Sequence, residues 1–175
     1  MSNNSRSGGE PQNTSTITVR PVQPDDVSFL LLLYASTRAD ELALVPWTDE
    51  QRHAFVSMQF SAQQDHYRKQ YPQAVHEIVL VNERPIGHIY VARLEHEMRI
   101  IDLTIVPEQR NAGVGSFLLR RLLDEASLAA KAVRIYVEDF NPSLRLFERL
   151  GFKPVDQAGM HLLLEWTGDD KATDE

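Results

Sequence analysis

The chain has 175 residues, the size of one ordinary domain, and 42% of them are hydrophobic, which is enough for a core and excludes global disorder. Asp and Glu number 25 against 18 Lys and Arg, so the net charge is −7; this argues against a dedicated nucleic-acid binder, which needs a basic face. The chain contains no cysteine, which excludes a disulfide framework, a zinc ribbon and a thiol nucleophile.

The two ends of the chain differ in composition from its body. Residues 1–15 are rich in Ser, Asn and Gly and lack the apolar stretch of a signal peptide, whereas residues 168–175 contain four acidic residues and one lysine. We predict a flexible tail at each end and a single domain over residues 16–167. The longest apolar run, residues 29–35, is far shorter than the roughly 18 residues that a membrane span needs. These features predict a cytoplasmic protein without a membrane partner.

The first third of the domain predicts one strand and two helices. Residues 17–22 alternate between apolar and polar side chains, which is typical of a strand. A helix is predicted from Pro24 to about Asp40, because proline and acidic residues favour the first turn. Thr48, with a glutamine three residues later, forms the pattern of a capping box and predicts a second helix that ends near Tyr71.

The middle of the chain is rich in β-forming residues. Residues 76–81 and 86–93 are joined by a short Asn-Glu-Arg-Pro segment, which indicates a hairpin. Residues 99–106 form a third strand pattern that Pro107 ends. Residues 113–130 then carry apolar side chains at helical spacing.

The last part of the chain completes a mixed α/β pattern. Residues 133–137 are a short strand pattern, and Asn141 is predicted as the N-cap of a helix that begins with proline and ends at Gly151. Residues 160–166 form a last strand pattern. The order is β-α-α-β-β-β-α-β-α-β, which predicts an α/β (α+β) fold with a mixed central sheet, antiparallel in its middle and parallel across the helix over residues 113–130.

One turn carries a pattern that suits phosphate binding. After the strand that ends at Pro107, the sequence reads Arg110-x-x-Gly113-x-Gly115 and leads directly into a helix. The N–H groups of a first helical turn lack intrahelical partners, and glycines let an anion approach them closely. A third glycine of the dinucleotide fingerprint and a following Gly-Lys-Ser/Thr are both missing. The turn therefore suits a diphosphate, and the alternative is that its glycines only permit a tight strand-to-helix connection.

This motif resembles the acetyl-CoA pyrophosphate motif of the GNAT N-acetyltransferases. A second block, from Asn141 through Phe147 to Gly151 and Phe152, resembles the family's Asn-x-x-Ala-x-x-Leu-Tyr-x-x-x-Gly-Phe helix, although Asn141 lies one residue too close to Phe147. The start of the domain is also similar to the family's first strand and helix entry. The resemblance spans about residues 17–166 and implies acetyl-CoA as the acyl donor.

The resemblance implies specific roles for residues in a cleft between the strands over Arg99–Val106 and Val133–Val137. The backbone of Leu103, Thr104 and Ile105 would pair with the pantetheine arm, and the side chain of Asn141 would bond to the same arm, unless it serves only as a helix cap. Phe147 would lie near the cofactor sulfur. Backbone N–H groups over the turn would hold the pyrophosphate: Arg110, Asn111, Ala112, Gly113, Val114, Gly115 and Ser116.

Two parts of the implied chemistry depart from the family pattern or stay open. Phe147 stands where the family often has a tyrosine that acts as an acid for the leaving thiolate. Tyr136, Tyr67 and Tyr71 are candidates to donate that proton instead. A base must deprotonate the acceptor amine, and Asp102 is the first candidate, with Glu138 second. Either carboxylate could instead be solvated or paired with an arginine. The six histidines show no metal-like spacing, and the chemistry requires no metal.

Three functions are compatible with these observations. The favoured one is an N-acetyltransferase that moves an acetyl group from acetyl-CoA to a primary amine of a small molecule or peptide, by direct attack in a ternary complex. Phe147 makes plausible an alternative, a non-catalytic acyl-CoA-binding or sensing module. A third is a protein-interaction domain whose glycine turn is only structural. The partners expected are acetyl-CoA and an amine-bearing acceptor, without nucleic acid, and family habit suggests a homodimer.

Overall fold

A computed structural model describes residues 16–168 and arranges its strands in one seven-stranded sheet in the order β1-β2-β3-β4-β5-β7-β6. The strands are β1 (Ile17–Pro21), β2 (Val75–Val81), β3 (Arg84–Arg93), β4 (Glu97–Ile105), β5 (Ala132–Glu138), β6 (Lys153–Ala158) and β7 (His161–Trp166). The helices are α1 (Val27–Ala43), α2 (Asp49–Gln70), α3 (Val114–Leu128) and α4 (Leu144–Arg149). The predicted tails lie outside the described residues, apart from Gly168.

The sheet is antiparallel on both sides of a single parallel pair. β1 to β4 pair in antiparallel fashion in chain order, and the β2–β3 hairpin turns at Asn82 and Glu83, which both have positive φ. β4 and β5 pair in parallel because α3 carries the chain back across the sheet. β5 pairs with β7, and β7 with β6, in antiparallel fashion. The predicted α/β class and the parallel pairing across the helix are confirmed.

The strand β6 is an addition to the predicted order. All six of its side chains are exposed, and its pairing with β7 is irregular between Pro154 and Asp156. Proline and an irregular register are tolerated at a sheet edge, because only one side of the strand needs partners. Such a strand has neither the alternation nor the apolar content that a sequence pattern requires.

Helices cover both faces of the sheet and divide the core into two clusters. On one face, α3 and α4 pack over the larger cluster, in which Ile100, Leu119 and Val133 are at most 1% exposed. On the other face, Leu30 and Phe60 from α1 and α2 pack against Ile78 of β2. None of the helices within residues 16–168 is long and apolar enough to cross a membrane.

The helix starts show one confirmed prediction and one correction. At α2, the Thr48 hydroxyl accepts a hydrogen bond from the Gln51 N–H at 3.2 Å while the Gln51 side chain accepts one from Thr48 N–H at 3.0 Å, which is the predicted capping box. At α4, the N-cap is Ser143 rather than Asn141. The Asn141 side chain instead accepts a hydrogen bond from the Ser143 N–H at 2.9 Å, so it stabilises the turn before the helix.

Candidate active site

A cleft opens in the sheet where β4 and β5 separate. The two strands pair from Glu97 with Ala132 to Ile100 with Ile135, but β4 continues to Ile105 and β5 to Glu138 without pairing to each other. The backbone of β4 beyond Ile100 therefore has a free edge facing β5. This is the cleft that the sequence predicts between these strands.

A β-bulge at the mouth of this cleft decides which way each β4 side chain points. Tyr90 pairs with Asp102 and Val91 with Ile100, so Ile101 is an extra residue on β4. Because of this extra residue, Ile100 and Leu103 both pack with the α3–α4 side of the core. Asp102 points to the opposite face, which α1 and α2 cover, and the cleft thus has an apolar side and a polar side.

Asp102 lies in the polar side of the cleft with two side-chain partners. The Thr104 hydroxyl donates a hydrogen bond to its Oδ1 at 3.0 Å, and His88 Nε2 lies 3.4 Å from its Oδ2. The side chain of Asp102 is 22% exposed to solvent. Burial alone would raise its pKa, but the interaction with His88, the hydrogen bond from Thr104 and the charge of His76 outweigh burial, so the pKa is lowered. Asp102 is therefore a carboxylate at neutral pH.

Behind Asp102, two histidines continue the polar line into the sheet. His88 on β3 is buried, and its Nδ1 lies 2.7 Å from Nε2 of His76 on β2. The His76 ring stacks on Tyr90 with centroids 4.3 Å apart. Burial, followed by the charge of His88, lowers the pKa of His76 to about 4. The sequence analysis missed both histidines, although the β2–β3 hairpin register, once known, places them on the face of Asp102.

Helices α1 and α2 supply the other wall of the polar side. Tyr67 on α2 meets Tyr90 edge-on with centroids 5.7 Å apart, and burial, then the charge of Asp102, raises its pKa. On α1, the Arg38 guanidinium lies 5.6 Å from the centre of the Tyr34 ring. Tyr67 thus lies close enough to Asp102 for that charge to act on it, whereas Tyr136 is 51% exposed on β5.

Glu138 occupies the end of β5, across the cleft from β4, and is half-buried. Its charge acts on Arg38: burial would lower the pKa of Arg38, but the interaction with Tyr34 and the charges of Glu41 and Glu138 raise it. Glu138 therefore belongs to the α1 side of the cleft mouth. Asp102, by contrast, sits beside the bulge at the point where the strands part.

The glycine turn connects the end of β4 to α3 and leaves an open, N–H-lined surface. Arg110 Nε donates to the Ile105 carbonyl oxygen at 2.9 Å and fixes the start of the turn. Asn111 and Gly113 have φ of 59° and 83°, the region that favours glycine. No heavy atom lies within 4 Å of where a Gly113 side chain would begin. The first N–H groups of α3, from Val114 to Ser116, have no intrahelical acceptors.

Gly115 serves a different purpose from Gly113. A Cβ at position 115 would lie 3.2 Å from Cδ2 of Leu146, so the absence of a side chain lets α3 approach α4 closely. Beside this contact lies a cavity of about 900 Å³ between the two helices. Three arginines contribute to its lining, which comprises Gly113, Ser116, Phe117, Arg120, Arg121, Asp124, Leu146, Arg149 and Leu150. The sequence analysis did not single out these arginines.

The two remaining predicted cofactor residues lie beyond the cleft edge. Asn141 is half-buried in the turn between β5 and α4, where its side chain is engaged with Ser143. Phe147 is 3% exposed and meets Phe152 edge-on with centroids 5.2 Å apart. The structure gives Phe147 a packing role in the core, and contact of either residue with a cofactor stays a prediction.

The amino-acid sequence of the domain matches a known family. The model of the acetyltransferase (GNAT) family matches residues 38–152, about two thirds of the chain, and the chain belongs to this family. No curated protein sequence matches the chain significantly.

Solved structures with the same fold include three acetyltransferases. PaiA N-acetyltransferase from Thermoplasma acidophilum, in complex with coenzyme A, is 16% identical, with a TM-score of 0.66 over 87% of this chain and 99% of that one. An acetyltransferase from Thermus thermophilus is 18% identical, with a TM-score of 0.60 over 86% and 96%. One from Streptococcus agalactiae is 16% identical, with a TM-score of 0.60 over 86% and 98%. At these identities the likeness establishes the fold.

Proposed function

We propose that the chain is an N-acetyltransferase that transfers an acetyl group from acetyl-CoA to a primary amine of a small molecule or peptide. The observation that carries the proposal is the separation of β4 from β5 after Ile100, directly beside the open glycine turn at the start of α3. A neighbour with the same fold was solved with coenzyme A. Family membership supports acyl transfer, and the polar side of the cleft supports an amine acceptor.

The described residues fit an acyl-CoA. The free edge of β4 at Leu103–Ile105 offers backbone groups to the two amides of the pantetheine arm, as an added strand would. The open space at Gly113 and the first N–H groups of α3 suit the diphosphate. Arg120 and Arg149 in the adjoining cavity place positive charge next to that diphosphate. Acetyl-CoA would supply the activated acetyl thioester.

The chain's own residues act on the acceptor. At pH 7 a lysine-like amine with a pKa near 10.4 is protonated in all but about one molecule in 2,500, so deprotonation must precede attack. The carboxylate of Asp102 attracts the ammonium group and orients it toward the cleft. After the ammonium has passed one proton to Asp102, the neutral amine attacks the thioester carbonyl carbon directly and the carbon–sulfur bond breaks. The departing thiolate, with a pKa of about 8.5 by analogy with cysteine, needs little help from an acid, which accommodates Phe147 at the tyrosine position.

Cofactor binding is tested by the thermal shift that acetyl-CoA induces. A ligand at about 100 times its dissociation constant adds about 2.7 kcal/mol to the free energy of unfolding, which raises Tm by several degrees. Gly113→Val fills the open cradle and is expected to abolish the shift. Gly159→Val, at a positive φ of 62° with similarly free space on the β6–β7 turn, imposes the same backbone strain and should leave the shift intact. Equal shifts in both variants would contradict the placement.

Catalysis is tested by thiol release from acetyl-CoA over a panel of amines, with mass spectrometry of the acetylated product. At least one primary amine is expected to accelerate thiol release well above the rate in buffer. The second candidate, an acyl-CoA-binding module, is favoured by one observation: Phe147 is buried and carries no proton. If the chain binds acetyl-CoA but releases no thiol from it with any amine of the panel, the result would support the binding module and overturn acetyl transfer.

A further inference from the structure

A continuous line of three ionisable side chains leads away from the cleft through the sheet. Asp102 on β4, His88 on β3 and His76 on β2 lie on one face, because Tyr90 pairs with both His76 and Asp102 while His88 pairs with Thr104. The contacts are 3.4 Å from Asp102 Oδ2 to His88 Nε2 and 2.7 Å from His88 Nδ1 to His76 Nε2. Both nitrogens of His88 are therefore engaged, one on each side of its ring.

The exposure of the three side chains gives the line an entrance and an exit. Asp102 keeps 22% of its side-chain exposure at the cleft, whereas the His88 side chain keeps 7%. His76 is again partly exposed. Core packing at position 88 could be served by an apolar residue like its neighbours on β3. A buried imidazole with a polar atom close to each of its two nitrogens instead offers a route by which one ring accepts a proton as it donates another.

We propose that Asp102, His88 and His76 form a path that carries the proton of the acceptor amine from the cleft to the β2 side of the sheet. This inference rests on the proposed acetyl transfer. Asp102 touches the substrate, whereas His88 and His76 act through it as positioning residues.

The proton balance is as follows. The acceptor ammonium passes one proton through Asp102 to His88 Nε2, His88 Nδ1–H passes its proton to His76 Nε2, and His76 releases its Nδ1 proton to water. The amine nitrogen then bonds to the thioester carbonyl carbon as the carbon–sulfur bond breaks. The second amine proton goes to the departing thiolate. One proton is released for each acetyl group, and exchange with water restores the starting tautomers.

The charged and titratable groups around the path favour this direction. Burial, then the charge of His88, lowers the pKa of His76 to about 4, so a proton that reaches His76 leaves it at neutral pH. From the neighbouring elements, Asp26 and Asp102 act on His76 in the opposite sense, Tyr90 stacks on its ring and Tyr67 of α2 faces Asp102. The charge of Arg38 on α1 lowers the pKa of Tyr67, against the effect of burial.

The pH dependence of the reaction separates a proton path from a packing role. Without the path, the rate follows the free amine and rises toward the amine pKa of about 10.4. His88→Gln is therefore expected to lower kcat about 100-fold at pH 7, within the range of general-base effects, and less than about threefold at pH 10. The KM for acetyl-CoA and the acetyl-CoA thermal shift are expected to stay unchanged.

A second variant and a control keep the test decisive. His76→Gln can still bond to His88 but cannot release a proton from a second nitrogen, so it should lower kcat about tenfold at pH 7 with the same recovery at pH 10. His96→Gln, on the β3–β4 turn where the side chain is 89% exposed, should leave kcat unchanged both at pH 7 and at pH 10. If His88→Gln fails to fold, His76→Gln decides.

Two outcomes would overturn the path and are distinguishable from each other. If the wild-type chain acetylates an amine but the variants keep its rate at pH 7, or lose the same factor at every pH, the histidines only pack. If the wild-type chain binds acetyl-CoA but no amine causes thiol release from it at any pH, the proposed acetyl transfer itself fails, and the path fails with it.

Discussion

Specific neighbours shift the pKa values of individual side chains in this domain, and Asp26 is the clearest case. Its carboxylate accepts two hydrogen bonds from the Arg20 guanidinium, at 2.7 and 2.8 Å, and one from the Gln23 N–H at 2.7 Å. The hydrogen bonds with Arg20 lower the pKa of Asp26 to about 2, against the opposing effect of burial. This pair fixes the end of β1 to the start of α1.

Asp26→Asn should therefore destabilise the domain at pH 7 by about 1.5–3 kcal/mol, the range for charged hydrogen bonds. Because the pKa is lower in the folded state, the stability from Asp26 is complete above about pH 4 and is lost as the pH falls toward 2. Denaturant titration at pH 7 and pH 2 checks both statements. Asp65→Asn, which breaks an exposed pair with Arg68 on α2, should cost less than about 1 kcal/mol. Equal costs for the two variants would contradict this account of Asp26.

Asp102 supports a second prediction at the scale of a residue. Asp102→Asn keeps an oxygen that can accept the hydrogen bond from the Thr104 hydroxyl but removes the charge that attracts the acceptor ammonium. We expect kcat/KM for the amine to fall about 100-fold at pH 7, with the acetyl-CoA thermal shift unchanged. Glu138→Asn, at the other carboxylate predicted from sequence, is expected to change kcat/KM less than about fivefold. A larger effect at Glu138 would assign the base to β5.

At the scale of elements, the connection from β4 to α3 could be predicted from sequence, because Pro107 and the two glycines are local signals. The parallel pairing of β4 and β5 followed from the intervening helix. The bulge at Ile101, the histidines behind Asp102 and the arginines beside α4 could not be predicted, since each depends on strand register or on helix packing between distant residues. Strand β6 was missed because an exposed edge strand leaves no alternation to detect.

The packing of α3 against α4 predicts how the cavity between them contributes to cofactor affinity. Arg149→Ala removes a cation from the cavity lining and should weaken acetyl-CoA binding about three- to tenfold, with a loss that shrinks at high salt. Arg145→Ala, on the same helix but not in the lining, serves as the control and should change the Kd less than twofold. Calorimetric titration at two salt concentrations measures both. Identical Kd values would show that the phosphates of the cofactor lie elsewhere.

At the scale of the whole molecule, the described residues 16–168 contain every strand, helix and contact on which the proposed function depends. The composition of residues 1–15 and of the acidic end predicts that neither is needed for the fold. A truncated chain covering residues 16–168 should keep its Tm within roughly two degrees and its Kd for acetyl-CoA within about twofold. Loss of several degrees would show that one of the ends packs on the domain.

The whole account depends on how a single ligand lies across several elements. A crystal structure of the chain with acetyl-CoA tests it most directly. We expect the pantetheine arm along the free edge of β4 at Leu103–Ile105, the diphosphate on the N–H groups at the start of α3, and the thioester beside Asp102. A cofactor bound outside the separation of β4 and β5, or a thioester on the opposite side of the sheet from Asp102, would contradict the proposed site.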